Sequence, residues 1–385
     1  MNRKERRSKN KGINILKEII TIINQYFPEL IEKFDKLTDV RNQSYVKYQM
    51  KVIFIVRLMP LMCEIKSMNE LTREFNTEEA IENIAKISGL ELEEIPHCDT
   101  INDVFKNIKV EEIEKIIKYM ITKLIRSKML EKYKIRGKYY HVVVDGTGLA
   151  TSRKKYNNNC LVKNKTDKNG NEYKEYSTYV LEAKLIVGDM VFSIGSEFVE
   201  NTEENITKQD CEIKAFKRLA KRIKKEYPRL KILIGADALY AKKTIMDICK
   251  ENEWKYIIRF KEGTIPTLYK EFKSIVEKEN ESNKNIENTI NVGRKRWKIE
   301  NEGFNMQKNG TFDIGHLNSK NATAIKVHYL IIQIAHTIRQ MLEKGSREIK
   351  KLKLKIKEIS QILKTTLIST TQNLEVHNKI QLRFD

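Results

Sequence analysis

Apolar residues recur every three or four positions across 13–25, 45–65, 77–88 and 110–132, so residues 1–135 read as a set of amphipathic helices. Thr77-Glu78-Glu79 opens one of them with a capping hydroxyl and acids in the first turn. Asp99-Thr100 reads as the cap of another over 101–107. The period changes at 139. Tyr139-Tyr-His-Val-Val-Val-Asp145 is a β-branched run closed by an acid and followed by Gly146-Thr147-Gly148, which predicts a buried strand running into a loop. Residues 151–175 are polar and basic with no apolar alternation, so a loop is expected there. Next, 177–187 and 190–199 flank Gly188-Asp189, a two-residue hairpin signal. A basic helix over 209–226 stops near Pro228. Residues 230–237 form a second buried strand ending in an acid, Asp237. A helix over 241–252 and a third strand over 254–260 follow. The segment 266–279 is helix-like, 280–291 is rich in Asn, Glu and Lys without a core pattern, and helical periodicity returns from 292.

That order of strand, hairpin pair, helix, strand, helix, strand and helix predicts an α/β fold, a mixed sheet flanked by helices. The ribonuclease-H-like fold has this arrangement and places acids at neighbouring strand ends. Three domains are expected: an all-α N-terminal domain over 1–135, a ribonuclease-H-like core over 136–345, and a basic helical C-terminal tail over 346–385.

Composition adds a direction. Lys and Arg number 73 against 52 Asp and Glu, a net charge of +21, while 40% of residues are hydrophobic, enough to build a core. A basic surface on a folded chain points to a polyanion, most often nucleic acid. The longest apolar stretches, 50–63 and 326–342, are broken by Lys51, Arg57 and Pro60 and by His328, Gln333, His336 and Arg339, so no membrane span or membrane partner is expected. The basic N-terminus (Arg3, Lys4, Arg6, Arg7) is not followed by the apolar run of a signal peptide. Five widely spaced cysteines without a Cys-x-x-Cys pair fit neither a disulfide framework nor a zinc knuckle, and suit a reducing cytoplasm. The six histidines form no ligand spacing. His336 reads as a core histidine, and Cys211 and Cys249 as buried.

Asp145 and Asp237 each close an apolar run at the C-terminal end of a strand, the edge where sites form in open α/β sheets. On adjacent strands they could share divalent cations; taken singly, strand-end acids are ordinary turn and cap residues. A third acid is offered by Arg294-Lys-Arg296-Trp297-Lys-Ile-Glu300-Asn-Glu302-Gly-Phe304-Asn-Met-Gln-Lys308. At helical spacing Arg296, Glu300 and Gln307 share a polar face, Trp297 and Phe304 lie together on the next and read as core, and Ile299 and Met306 lie opposite. Glu302 falls near the Ile299 side, which favours Glu300 as ligand without closing the choice. The plain alternative for Arg296 and Glu300 is a surface i,i+4 pair.

These motifs together resemble a DDE transposase of a bacterial insertion sequence, in the large Asp-Asp-Glu group with a Tyr-Arg-Glu-Lys-type signature. Asp145-Gly-Thr-Gly resembles its first-Asp motif, Ala236-Asp237-Ala-Leu-Tyr-Ala241 its second, and Arg296-Trp-Lys-Ile-Glu300 its Glu-helix signature. Gln333-Ile-Ala-His336 and Pro96-His97-Cys-Asp99-Thr100 resemble flanking parts of the same group, so the resemblance spans roughly residues 40–345. It departs at Gly293, where the group carries Tyr, and at Lys308, eight after Glu300 rather than about seven. The strand-rich insertion that relatives carry before the Glu helix is shortened, at about 261–291. The resemblance implies catalytic Asp145, Asp237 and Glu300 holding two divalent ions, Mg²⁺ or Mn²⁺. It implies hydrolysis of a phosphodiester at a transposon end, followed by strand transfer to target DNA. Arg296, Lys308, Trp297, Arg153 and Lys154 would touch the nucleic acid, and the N-terminal helices would bind the DNA end. The partner is double-stranded DNA, inverted-repeat ends and target, with a homodimer formed on it at the nucleoid of a bacterial cytoplasm. The basic run 344–357 is a second candidate for phosphate contact. The alternatives are a truncated or domesticated DNA-binding relic that does not cut, another ribonuclease-H-like nuclease such as a resolvase, and an RNA-associated basic protein.

Overall fold

A computed structural model describes residues 14–201, 209–261, 267, 270–271, 283–374, 380 and 382. The helix-like segment expected over 266–279 thus lies largely outside the described residues. The chain gathers into two units, one made of Met1–Leu124 with Asn305–Asp385 and the other of Ile125–Phe304.

The first unit is helical. Asn14 caps the helix Ile15–Tyr26 by accepting from the Lys17 amide at 2.9 Å. Thr77 caps Glu78–Ser88 as its sequence signature predicts, and Gly89 ends that helix in the left-handed conformation at φ 67°. The helix Cys98–Lys106 starts earlier than expected. Its cap is His97, whose Nδ1 accepts from the Asp99 amide at 3.2 Å, rather than Asp99 or Thr100. The two longest apolar stretches become the helices Met50–Met62 and Ala322–Gly345, buried on nearly all sides and packed on each other. A helix apolar around its whole circumference belongs in the middle of a bundle; among the described residues no helix is long and apolar enough to cross a membrane. Several polar residues inside the second helix are bonded to neighbours. Arg339 donates to the Met62 carbonyl at 2.9 Å and pairs with Glu343 at 2.5 Å. His336 is a core histidine as expected, its Nδ1 2.8 Å from Gln307 Nε2 and its ring edge-on to Phe312. Arg57, which looked like a break in the apolar run, is fully buried instead.

The basic stretch after Gly345 breaks into two helices, Arg347–Leu352 and Ile356–Ser369, with Lys353 between them at φ 51°. The second packs on Ile15–Tyr26 and Glu78–Ser88, where Asn83 Nδ2 donates to the carbonyls of Leu367 and Thr370 at 2.9 Å. The C-terminal helices therefore complete the N-terminal bundle. The division between units falls at 304 and 305, where the sequence placed a core reaching 345.

Among the described residues the second unit is a six-stranded mixed sheet: β1 Tyr140–Ser152, β2 Leu161–Thr166, β3 Glu172–Val187, β4 Met190–Val199, β5 Ile232–Ala236 and β6 Lys255–Ile258. The order is β2-β3-β1-β5-β6, with β4 also on β3. β1 runs antiparallel to β3 and parallel to β5, which is parallel to β6. β2 and β4 share one edge of β3, taking its first and second halves. The helix Glu212–Glu226 lies against β4 and β3, with Ala215, Phe216, Leu219, Ala220 and Ile223 turned inward. This is the mixed α/β sheet flanked by helices that the pattern predicts.

Two expectations change. β1 does not stop at Asp145 but continues to Ser152 along β3. Most of 151–175 is a hairpin rather than a loop, turned at Asp167, whose carboxylate accepts from the amides of Asn169 and Asn171, and at Gly170 with φ 84°. β2 is largely exposed, so it has no apolar alternation to give it away; the β3 backbone ladder and this turn hold it.

Candidate active site

The parallel pairing of β1 with β5 sets Val143 opposite Gly235, so two residues further along each chain Asp145 and Asp237 come level. β5 ends at Ala236. Asp237 then caps the short 3-10 turn Ala238–Tyr240, its Oδ1 accepting from the Leu239 amide at 2.9 Å. Because β5 stops while β1 continues, the sheet edge opens beside Asp145. The side chain of Asp145 is 19% exposed, and its Oδ1 accepts from the Gly146 amide at 2.9 Å. Burial pushes this carboxyl up to about 6. The Gly146 amide and Arg296 oppose that rise, and the charges of Glu300 and Asp237 add to it.

The third acid arrives on an irregular helix. Residues Ile299–Asn305 form a π-helical turn, a wide turn that takes up one extra residue and recurs at functional sites. Its phase is visible in the packing: Ile299 and Phe304, five apart, both pack with Val143, Ile186 and Val191 of the sheet. Gly303 allows the close approach, since a Cβ there would stand 3.3 Å from Cδ and Cε of Lys184. Lys184 cannot easily yield. It is fully buried and paired at 3.5 Å with the equally buried Glu182, which also accepts from Ser193 at 2.9 Å and from Ser196. So seated, the helix brings Arg296 and Glu300 to Asp145. Nη1 of Arg296 lies 3.0 Å from Glu300 Oε1 and 3.4 Å from Asp145 Oδ2.

The other expected site residues fall into two groups. Arg296 is turned toward the acids and 8% exposed, so it is not a member of a surface pair. Trp297 is not core: it is 50% exposed, beside Arg296 with 5.2 Å from guanidinium to ring centre. The π turn explains the error, because it rotates Phe304 onto the Ile299 face and leaves Trp297 behind. Arg153 and Lys154 lie exposed just past β1, Arg153 over the Tyr173 ring at 4.5 Å. Lys308 belongs to the helical unit, half-buried, and burial pushes its ammonium pKa down. Cys211 is exposed rather than buried, because it precedes the first turn of the helix Glu212–Glu226.

A carboxylate that sequence reasoning missed stands close by. Glu212 accepts from Tyr240 Oη at 2.6 Å. A Cβ on Gly146 would lie 2.7 Å from its carboxyl carbon and 2.6 Å from the Tyr179 ring. The glycine after the first Asp thus makes room for this acid and its tyrosine. The signal in the sequence was Tyr240 itself, an aromatic hydroxyl three residues beyond Asp237 that needs a partner when buried. Elsewhere, His97, Cys98 and Asp99 bring ligand-type atoms within 4.8 Å of one another, which follows from His97 capping the helix they open.

Asp145, Asp237 and Glu300 offer only oxygen donors, the set that Mg²⁺ and Mn²⁺ prefer. The guanidinium between Asp145 and Glu300 already supplies positive charge at that place. The donor chemistry suits a divalent cation, while the ligand oxygens of the three acids do not all lie within 4.8 Å of one another and Arg296 stands between two of them.

Comparison with known families gives two matches. Residues 31–120 match a family described as DDE_Tnp_1-associated, and residues 200–303 match the family Transposase DDE domain group 1. The second match contains Asp237 and Glu300; Asp145 lies outside it. No curated protein matches the chain. Among solved structures, a piggyBac transposase synaptic complex with hairpin DNA aligns at a TM-score of 0.44 and 10% identity, covering 92% of this chain and 80% of that one.

Proposed function

The chain belongs to the DDE-type transposases, and on that premise we propose that it cleaves phosphodiester bonds at the ends of a mobile DNA element and joins the freed ends to target DNA. The observation that carries the proposal is the bridge of Arg296 between Asp145 and Glu300, at the sheet edge where Asp237 stands level with Asp145. Asp145, Asp237 and Glu300 are the residues that would hold the divalent ions. Bound there, two Mg²⁺ or Mn²⁺ ions supply Lewis acidity to the attacking and leaving oxygens of a phosphodiester.

The protein's own part is placement. β1 and β5 fix the two aspartates by backbone register, and the packed π turn fixes Glu300. Arg296 holds Asp145 and Glu300 together, and in this reading its other edge donates to a phosphate oxygen as a charge-assisted bond. Trp297 offers an exposed aromatic face next to that phosphate. Arg153, Lys154 and Lys308 add cationic contacts along the DNA, and the N-terminal helices recognise its end. Bringing two ends together calls for two copies of the chain on DNA.

The test is cleavage of end-containing duplex DNA in Mg²⁺, with Mn²⁺ binding followed separately by calorimetry. Asp145→Ala, Asp237→Ala and Glu300→Gln should each remove cleavage and weaken Mn²⁺ binding, while Glu302→Gln should keep both. Full cleavage by either aspartate variant would refute the reading. One sequence feature favours a second reading, a copy that binds DNA without cutting: only 63 residues separate Asp237 from Glu300, shorter than the resemblance implies for relatives. DNA binding and Mn²⁺ binding without any nicking would support that reading.

A further inference from the structure

At the opposite end of β1 from the acids the sheet unit carries a cleft of about 820 Å³. His141, on the same face of β1 as Asp145 but four residues earlier, lies on its floor with Leu233 of β5 and Ile257 of β6. Four strand residues span roughly 13 Å, so the cleft is separate from the catalytic edge. Its rim comes from the segment before β1, the turn between β3 and β4, and the helix Asn283–Arg294 with the residues that follow it.

The rim is strongly cationic. Lys132, Lys134, Arg136, Lys255, Lys295 and Lys298 line it against one acid, Asp189. Lys298 is paired with Asp189 at 2.5 Å and Lys134 with Glu131 at 2.6 Å. Arg136, Lys255 and Lys295 are exposed and pair with no carboxylate among the described residues. Arg136 also sits at φ 52°, a left-handed conformation that a side chain with a Cβ adopts only when the surroundings hold it there. The floor beneath these cations is rigid and well covered. His141 is 2% exposed, yet neither ring nitrogen has a hydrogen-bond partner. Its imidazole lies across Gly235, where a Cβ would stand 2.6 Å from Nε2, so the sheet is built to accommodate the ring.

We infer that this cleft seats phosphates of a DNA strand, as a second anchoring site apart from the catalytic acids. The cations neutralise the backbone, and the His141 ring closes the floor beneath them. The inference rests on the transposase reading only for the identity of the polyanion. The same phosphate chemistry could come from a free nucleotide, so the experiment carries both.

Random-sequence duplex DNA is titrated into the full-length chain at several salt concentrations, with wild type compared to the triple variant Arg136→Asn, Lys255→Ala, Lys295→Ala. These exposed positions can change without disturbing the core, and Mn²⁺ calorimetry checks that the acids are untouched. Each phosphate contact contributes about 0.9 to the slope of log affinity against log salt. The variant should therefore lose about 2 to 3 from that slope, and roughly 10- to 100-fold in affinity at low salt. In NMR spectra the His141 ring signals should move with DNA in wild type and stay still in the variant. An unchanged slope and unchanged affinity would overturn the proposal. So would saturation of the His141 shift by AMP that DNA does not displace, which would make a free nucleotide the occupant. Loss of end cleavage alone, with the slope change intact, would count against the catalytic reading and leave this one standing.

Discussion

His141 shows how much one position can carry. Burial, reinforced by the charge of Lys295, pushes its imidazole pKa down to about 4. The folded protein keeps the ring neutral, whereas the unfolded chain protonates it near the ordinary value of about 6.5. The unfolded state therefore binds more protons between these values, and stability that is fully present above pH 6.5 is lost as pH falls toward 4. The loss amounts to about 3 kcal/mol for this residue. His328, fully buried and pushed down in the same way, adds to the slope. Urea unfolding at neutral and acidic pH should show this decline, and His141→Gln should flatten part of it; an identical slope in the variant would exclude the assignment. Asp145 and Asp237 stood out in the sequence because each follows a buried β-branched run, and the register of β1 and β5 brings them level. Arg296 was half readable. Its i,i+4 spacing from Glu300 showed in the sequence, but its second contact, to Asp145, depends on a residue about 150 positions away. Glu212 gave no sign of its own, since a glutamate opening a basic helix is ordinary there.

Elements were readable where their apolar period was regular. The π turn at Ile299–Asn305 broke that regularity, and its one trace in the sequence was the surplus residue between Glu300 and Lys308. A straight α-helix wheel drawn through it placed Trp297 with Phe304, and the structure separates them. The buried Lys184–Glu182 pair beneath the turn was equally hidden, because two charged residues in a strand usually face solvent. Their tight fit against Gly303 makes the element sensitive to volume. Gly303→Val should cost about 2 kcal/mol by overpacking and lower metal affinity by shifting Glu300, whereas Asn301→Ala, on the exposed side, should leave both unchanged. Thermal melts together with Mn²⁺ titrations separate these outcomes.

At the scale of the whole molecule, the net charge of +21 pointed to a polyanion but not to where it binds. The order of the elements predicted the sheet. What the sequence could not show is that the helical unit is built from both ends of the chain, because amphipathic periodicity marks a buried face and not the partner that covers it. The C-terminal tail is consequently structural. Ile359, Leu363 and Leu367 are buried in the bundle, and three such side chains account for roughly 5 kcal/mol or more, comparable to the whole stability of a domain. A chain ending at Gly345 should therefore lose cooperative unfolding of the N-terminal helices and bind hydrophobic dye; a truncated chain with a wild-type melt would contradict this. The same arrangement governs the timing of folding on the ribosome. The helices up to Leu124 emerge with their apolar faces uncovered, and about 180 residues of sheet unit must be synthesised before the helix that covers them, a wait of roughly 10 to 40 s at typical elongation rates. During that interval the finished part of the bundle depends on chaperones or on its own solubility, so the surplus of lysines also serves to keep an incomplete chain from aggregating.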